Sequence, residues 1–415
     1  MTRRLPAAAL AAALALGCVL SCASTPPASA AQRPQDDTGR QVMVTYPPGP
    51  PSLWAQKTRE LETIYRLRTV WSWTLTSLGE QCVVFEVPRN RTVPDIVRRL
   101  RADPLVGSIQ AIETFETQSQ GGATASDPYA KLQHSAKTLR LGQAHKLATG
   151  RGVRVAVVDT GVDLDHPDLR GRIVVAHNFV DRGEQTFTSD VHGTAVTGVL
   201  AAAANDIGIV GVAPQAEILA LKACWQTPPG AREAVCNSYT LAKAVDFAIA
   251  QGAQVLNFSL AGPPDPLLGR LIGAALAKGI AVVAADGGDA AHSFPASLPG
   301  VIGIAGLDGL KGGVRAVAGR RSTATLAAPA VDILTTVPHA SYDFFSGSSF
   351  AAAQVSGIAA LLIEKNPRIT PAQIDVLIRK TARPVPGVDG GAASLVSQVD
   401  ACAALSSSLG AGGCE

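Results

Sequence analysis

Between residues 153 and 306 the chain repeats short, almost continuously apolar runs: VRVAVVD, AEILALKA, AQVLNFSL, GIAVVAA and GVIGIAG. A strand with one face in water alternates apolar and polar residues, whereas a strand covered on both faces has no such alternation. Stretches with helical spacing separate or follow these runs: HGTAVTGVLAAAAN, NSYTLAKAVDFAIAQ, PLLGRLIGAALAK and PAQIDVLIRKTA. Such alternation predicts an α/β fold, a parallel sheet with helices on both faces. In sheets of that kind the chemistry gathers in loops at the carboxyl ends of the strands. Those loops are where functional residues are sought.

The N-terminal part has a different rhythm. QVMVTYP, LRTVWSWTL, CVVFEVP and VGSIQAIETF read as strands, with SLWAQKTRELETIY and VPDIVRRLRADP as helices between them. The order βαββαβ predicts a ferredoxin-like α+β domain over residues 41–118. The Gly/Ser/Thr-rich TQSQGGATASD breaks the pattern, so 119–130 reads as a linker, 131–388 as the α/β domain and 389–415 as a C-terminal tail.

Ahead of these domains, MTRRLPAAALAAALALGCVLSCAST joins two arginines to an apolar run ending in small residues, the pattern of an export signal over 1–22. A Pro/Ser/Gln-rich linker follows over 23–40. Two fates stand open: VLSC resembles a bacterial lipobox with Cys22 as the acylated residue, and ASA at 28–30 suits an ordinary signal peptidase. The expected location is therefore the cell envelope, as a lipid-anchored protein, or the secreted or periplasmic space. Cysteine usage agrees with export, because Cys224/Cys236 and Cys402/Cys414 form two equally short pairs suited to disulfides in an oxidising compartment. Formal charge is only +3 with no basic tract, so no nucleic-acid partner is expected. No Cys/His cluster has zinc spacing.

Three positions at strand ends or helix starts stand out: Asp159 ends VAVVD, His192 opens HGTAV, and Ser348 and Ser349 open an all-apolar helix in GSSFAAAQVSGIAALL. Singly, each has a plain structural reading as a turn, a helix start or a cap. Together they are the parts of an activated nucleophile. A serine hydroxyl attacks poorly until a base takes its proton, and histidine suits that work near neutral pH. A buried aspartate fixes the imidazole tautomer and stabilises the imidazolium. A serine at a helix start also brings its own N–H and the helix dipole to a developing oxyanion.

Six segments carry a family resemblance: VAVVDTGVDLDHPDL, HGTAVTGVLAA, IGIVGVAP, VLNFSLAGPPDP, FPASLPGVIGIAG and GSSFAAAQVSGIAALL. In this order and spacing they resemble the subtilases, subtilisin-like serine proteases, from about Tyr129 to Ala382. The resemblance implies a subtilisin-like parallel sheet, selects Ser349 over Ser348 as nucleophile, and implies an Asp159–His192–Ser349 triad. It also implies that Ser259, Leu260 and Ala261 pair with an extended substrate as an added strand. The N-terminal domain resembles the family's propeptide, an intramolecular chaperone and inhibitor.

One departure matters. Subtilases carry Ala-Ala-Gly-Asn where this chain has AADGGD, and the missing Asn supplies the second oxyanion donor. Two alignments stand open, placing Gly288 or Asp286 there. Losing that donor costs subtilisin about 10²–10³ in kcat. The resemblance further implies a structural calcium held by Asp168, Asn205 and the carbonyls of Ile207 and Ile209, although the chemistry itself needs no cofactor. The expectation is an exported serine endopeptidase that cuts peptide or protein substrates through an acyl-enzyme and is made as a self-processed zymogen. The alternative is a catalytically impaired subtilase-fold protein that binds peptide.

Overall fold

The computed structural model describes residues 38–415 except 105, 119, 122–131, 181–186, 229, 289–290, 309–325, 386–395 and 411–415. The signal and lipobox residues, including Cys22, and most of both linkers lie outside the described residues. Among the described residues no helix is long and apolar enough to cross a membrane.

The N-terminal domain runs β1 (Gln41–Tyr46), α1 (Pro51–Tyr65), β2 (Arg68–Leu75), β3 (Glu80–Glu86), α2 (Val93–Arg101) and β4 (Ser108–Ala111). Its antiparallel sheet has the order β2-β3-β1-β4, the split βαββαβ topology. Alternation along the strands divides the side chains between two faces. Val42, Val44, Val83 and Phe85 meet Leu61, Ile96 and Leu100 of the helices. Met43, Leu75, Cys82 and Val84 instead share a core with residues of the α/β domain. That accounts for strands that read as apolar on both faces, and for the burial of the free Cys82. The stretch VGSIQAIETF does not stay one strand. It breaks at Ile112–Glu113 and continues as β5 (Thr114–Thr117) and β6 (Gln120–Gly121), which pair with the other domain. Pairing partners there override the local propensity.

The α/β domain continues with α3 (His134–Thr138), α4 (Leu141–Ala144), β7 (Arg154–Asp159), β8 (Ile173–Asn178), α5 (Val191–Ala201) and β9 (Glu217–Lys222). After the short strands β10 (Cys224–Gln226) and β11 (Ala234–Asn237) come α6 (Ser238–Ala250), β12 (Val255–Phe258), β13 (Leu260–Ala261), α7 (Pro266–Ala277), β14 (Ala281–Ala285) and β15 (Ile302–Leu307). The remainder is β16 (Leu326–Pro329), β17 (Ile333–Val337), β18 (Ser341–Ser346), α8 (Ser348–Lys365), α9 (Pro371–Thr381), β19 (Arg383–Pro384), β20 (Ser397–Gln398) and α10 (Ala401–Leu409). The large sheet has the order β19-β20-β16-β15-β14-β12-β7-β9-β8 and is parallel except at its β19–β20 edge. Residues of α5, α8, α9 and α10 cover one face, and residues of α6 and α7 cover the other.

Helix α8 lies inside the first layer, buried from Ser348 to Ile363, which explains an apolar surface all round. Gly347 precedes it at φ 153°, a conformation that residues other than glycine disfavour, and this sharp entry presents the two serines. Residues 396–410 of the C-terminal segment are described, and they pack onto the α/β domain. Helix α10 places Ala401, Cys402, Ala404 and Leu405 in the α8 core, and Asp400 pairs with Arg140. Small apolar residues in ACAAL allow that close packing. Cys224 and Cys236 are disulfide-bonded across β10–β11. Cys402 is disulfide-bonded too, while Cys414, its expected partner, lies outside the described residues.

Candidate active site

The ends of β7, α5 and α8 bring Asp159, His192 and Ser349 together, each fully buried. Asp159 Oδ1 lies 2.7 Å from His192 Nδ1, and His192 Nε2 lies 3.2 Å from Ser349 Oγ. A carboxylate at Nδ1 requires Nδ1–H, so Nε2 is left as the base toward the hydroxyl. Ser349 Oγ also lies 2.8 Å from the Ser259 carbonyl. The arrangement can take a proton from the serine and hold the resulting imidazolium.

A buried frame fixes these groups. Thr160 N–H donates to Asp159 Oδ1 at 2.7 Å, and Gly193 N–H donates to Thr160 Oγ1 at 2.8 Å, linking β7 to the first turn of α5. Asp190, just before α5, accepts from Gly161 N–H at 2.7 Å and pairs with the buried Lys222 at the end of β9. Burial pushes the Asp190 carboxyl above its ordinary range, against the opposing pull of Lys222. Behind the nucleophile, Ser356 Oγ donates to Asn257 Oδ1, Asn257 Nδ2 to Ser259 Oγ, and Ser259 Oγ to the Ser349 carbonyl, at 2.8, 2.9 and 2.9 Å. The polar residues in VLNFSL and QVSG were the only sequence signal for this chain of bonds.

The groove is filled by the protein's own chain. Strand β5 lies between β11 and β13, antiparallel to both: Phe115 faces Cys236, while Glu116 and Thr117 face Ala261 and Leu260. Gln118 N–H donates to the Ser259 carbonyl at 3.3 Å, and Ser349 N–H donates to the Gln118 carbonyl at 3.2 Å. Leu260 and Ala261 thus pair with an extended strand, and Ser259 adds a backbone acceptor. Past residue 119, β6 pairs with β18, Gln120 opposite Ser346 and Gly121 opposite Phe345. Phe115 is fully buried, its ring 6.0 Å from that of Phe294. It also lies over Gly262, where any Cβ would stand 2.4 Å from the ring. Burying a phenylalanine in this way is worth about 2–3 kcal/mol. The walls β11 and β18 were not visible in the sequence, because AVCN is only four residues long and SYDFFS lacks the strict apolar–polar alternation of a half-buried strand.

The turn after β14 behaves otherwise. Gly288, at φ 82°, donates its N–H to Asp286 Oδ1 at 3.3 Å, and Ser293 Oγ donates to the same oxygen at 2.7 Å. Ser348 Oγ donates to the Asp286 carbonyl at 3.0 Å. Both alternatives for the second oxyanion donor are therefore engaged within their own turn. The Gln118 carbonyl receives the Ser349 N–H.

The residues expected to hold calcium do lie together. Asp168 Oδ2 accepts Ile209 N–H at 2.9 Å and the Tyr342 hydroxyl at 3.0 Å, while Asn205 Oδ1 accepts Ile207 N–H at 3.1 Å. Asp168 Oδ1 is buried without a hydrogen-bond partner among the described residues. Calcium takes about six to eight oxygens. Here Tyr342 sits directly over Gly208, and Asp168 Oδ2 and Asn205 Oδ1 already serve the loop's own N–H groups, which leaves Asp168 Oδ1 as the one unengaged side-chain oxygen of the expected set. The donor set does not fit a calcium cage. Among the described residues no cluster of His, Cys, Asp or Glu side chains could hold a metal.

A buried Asp-His-Ser triad at the carboxyl ends of parallel strands, beside an edge that takes up a peptide strand, defines a serine endopeptidase. Residues 150–412 match the subtilase family, and the chain belongs to it. It is 34% identical over 269 residues to thermitase of Thermoactinomyces vulgaris, covering 64% of this chain and 93% of the relative. To subtilisin E of Bacillus subtilis it is 32% identical over 295 residues, 69% of this chain and 72% of the other. The fold is similar to that of fervidolysin from Fervidobacterium pennivorans, with a TM-score of 0.72 at 24% identity over 88% of this chain. The chain spans 60% of that protein's length.

Proposed function

We propose that this subtilase is an exported zymogen that cuts its own chain first, at the Gln118–Ser119 bond. The observation that carries the reading is the Gln118 carbonyl hydrogen-bonded to Ser349 N–H, with residues on either side paired as strands. In the reaction Ser349 Oγ attacks the Gln118 carbonyl carbon as His192 Nε2 takes the hydroxyl proton, and Asp159 stabilises the imidazolium. Ser349 N–H receives the oxyanion. On collapse His192 passes its proton to the amine of Ser119, the C–N bond breaks, and Gln118 is left as an ester on Ser349. Water, deprotonated by His192, then attacks the ester carbon; the bond to Ser349 Oγ breaks as His192 returns the proton to that oxygen, and the Gln118 carboxylate is released. Strand β5 stays paired on both edges after the cut, so the freed N-terminal domain acts as the inhibitor of its own enzyme.

Export rests on the signal-like first 22 residues and the disulfide across β10–β11. Lipid attachment at Cys22 is the version in which the protein stays on the membrane. No cofactor takes part. The loop expected to bind calcium is held by Asp168 and Tyr342 instead, so a chelator leaves the melting temperature unchanged, whereas Tyr342→Phe destabilises by about 1.5–3 kcal/mol, as loss of a hydrogen bond to a carboxylate does.

N-terminal sequencing of purified product, with fluorophosphonate labelling, tests the reading. It requires a new N-terminus at Ser119 and labelling that disappears in Ser349→Ala. Folded, unlabelled and unprocessed protein overturns it in favour of an impaired peptide-binding subtilase. The engagement of Asp286 and Gly288 within their own turn is the observation on that side.

A further inference from the structure

Catalysis as proposed needs the two sides of the cut chain held together, yet only Gln118 and Ser119 lie between the segments bound by different walls. The upstream segment β5 is bound by β11 and β13, and the downstream segment β6 by β18. β11 belongs to a hairpin, and β18 to another part of the chain more than a hundred residues on. Among the described residues, one side chain bridges the hairpin and β18: Arg232.

The hairpin from Cys224 to Asn237 is fixed at its base by the Cys224–Cys236 disulfide. It leans on the start of α5, where Val191 N–H donates to Gln226 Oε1 at 3.3 Å. Its inner edge grips the upstream segment a second time: Ala234 N–H donates to Thr117 Oγ1 at 2.9 Å, and that hydroxyl donates to the Ala234 carbonyl at 3.3 Å. From its tip Arg232 crosses to β18. There it pairs with Asp343, donates to the Phe344 carbonyl at 3.1 Å, and lies over the Phe345 ring at 4.4 Å. Phe345 is fully buried and is the residue opposite Gly121 in the downstream pairing. Behind it the rings continue, Phe350 at 5.5 Å and then His192 at 5.9 Å from Phe350. One guanidinium therefore makes an ion pair, a carbonyl hydrogen bond and a cation–π contact, a combination that needs its flat, multi-donor shape.

We propose that Arg232 is a positioning residue: a latch that joins the upstream and downstream walls of the groove and favours extended polypeptides engaging both. It works through β18 and the hairpin, without touching the reacting atoms. The proposal rests on residues 114–118 and 120–121 lying as a substrate lies, and it deepens the reading of the same site by stating what kind of substrate the groove selects. Ligands with upstream residues alone use one wall and gain little from the latch. Chains that run through the cut use both and gain most.

Two substrates test this on enzyme expressed as the full chain and allowed to process. One is an acyl-Phe-Glu-Thr-Gln p-nitroanilide, which has upstream residues only. The other is an internally quenched peptide carrying Thr-Phe-Glu-Thr-Gln-Ser-Gln-Gly, which spans both walls. Arg232→Ala is expected to raise KM for the spanning peptide about tenfold more than for the anilide, with kcat on the spanning peptide changed less than about twofold. Arg232→Lys keeps charge without the planar stack and is expected to recover part of the difference. Asp343→Asn, which leaves the hairpin intact, is expected to shift KM in the same direction by a smaller factor. Rates are scaled to fluorophosphonate-titrated sites, which separates misfolding from altered binding. Equal losses on both substrates, no loss on either, or a fall in kcat alone overturns the latch. Wild-type enzyme that cuts neither substrate and shows no Ser119 terminus overturns the self-processing reading first, and the latch with it.

Discussion

The triad and the turn after β14 stand on either side of Ser349, yet they are built in opposite ways. Around the triad each residue is held in place by a buried neighbour. Thr160 orders Asp159, Asp190 and Lys222 order the loop before His192, and Ser259 ties Ser349 from behind. In the turn, Asp286 Oδ1 draws in Gly288 N–H and Ser293 Oγ, so its donors face inward. Proton transfer is fully equipped, and charge stabilisation rests on Ser349 N–H. The difference suggests an enzyme limited by its oxyanion site rather than by its base.

The largest test removes the better-built side. Asp159→Asn keeps the shape but lets Nδ1 face a donor, which favours the wrong imidazole tautomer. A fall of about 10⁴ in kcat is expected from steady-state kinetics. A fall below tenfold would erase the contrast. Gly288→Asn acts on the other side: asparagine tolerates the left-handed backbone there and brings a side-chain amide to the turn. A gain in kcat of about tenfold or more is expected, part of the 10²–10³ that one oxyanion donor is worth. No gain would mean that the site already has its second donor. Ser293→Ala is the mildest: it takes one donor from Asp286 and should cost about 1–3 kcal/mol in urea unfolding, with kcat changed less than about threefold.

How much of this could be read beforehand follows from where each feature's energy comes from. The strands β7, β9, β12, β14 and β15 announce themselves because both faces are covered, and the triad residues sit at their ends or at helix starts. The helix of Ser348 to Lys365 was legible as buried for the same reason. β11 and β18 were not: AVCN and SYDFFS pair locally with β10 and β17, and they become groove walls only where β5 and β6 lie beside them, a pairing between distant stretches. The break at Ile112–Glu113 follows from that same attraction, with Ser238 N–H donating to the Glu113 carbonyl at 3.0 Å. Whether Gly288 or Asp286 could serve an oxyanion depended on one carboxylate's orientation, which no spacing encodes. Tyr342, which meets Asp168 at the loop where calcium was expected, stands 174 positions away from it in sequence. Arg232 reads as an ordinary cation in a proline- and glycine-containing loop until β18 is folded beside it.

Strand β5 has neighbours on both edges, and this has a consequence for timing. A strand paired on one edge leaves room for a second chain to slide in alongside and displace it, step by step. One enclosed between β11 and β13 must leave as a whole. Severing the Gln118–Ser119 bond therefore would not by itself open the groove to others. The interval between cutting and first use on another protein would be a waiting time set by departure of residues 41–118, insensitive to dilution for the first molecules and shortened in concentrated enzyme once an already vacant neighbour digests the departing domain.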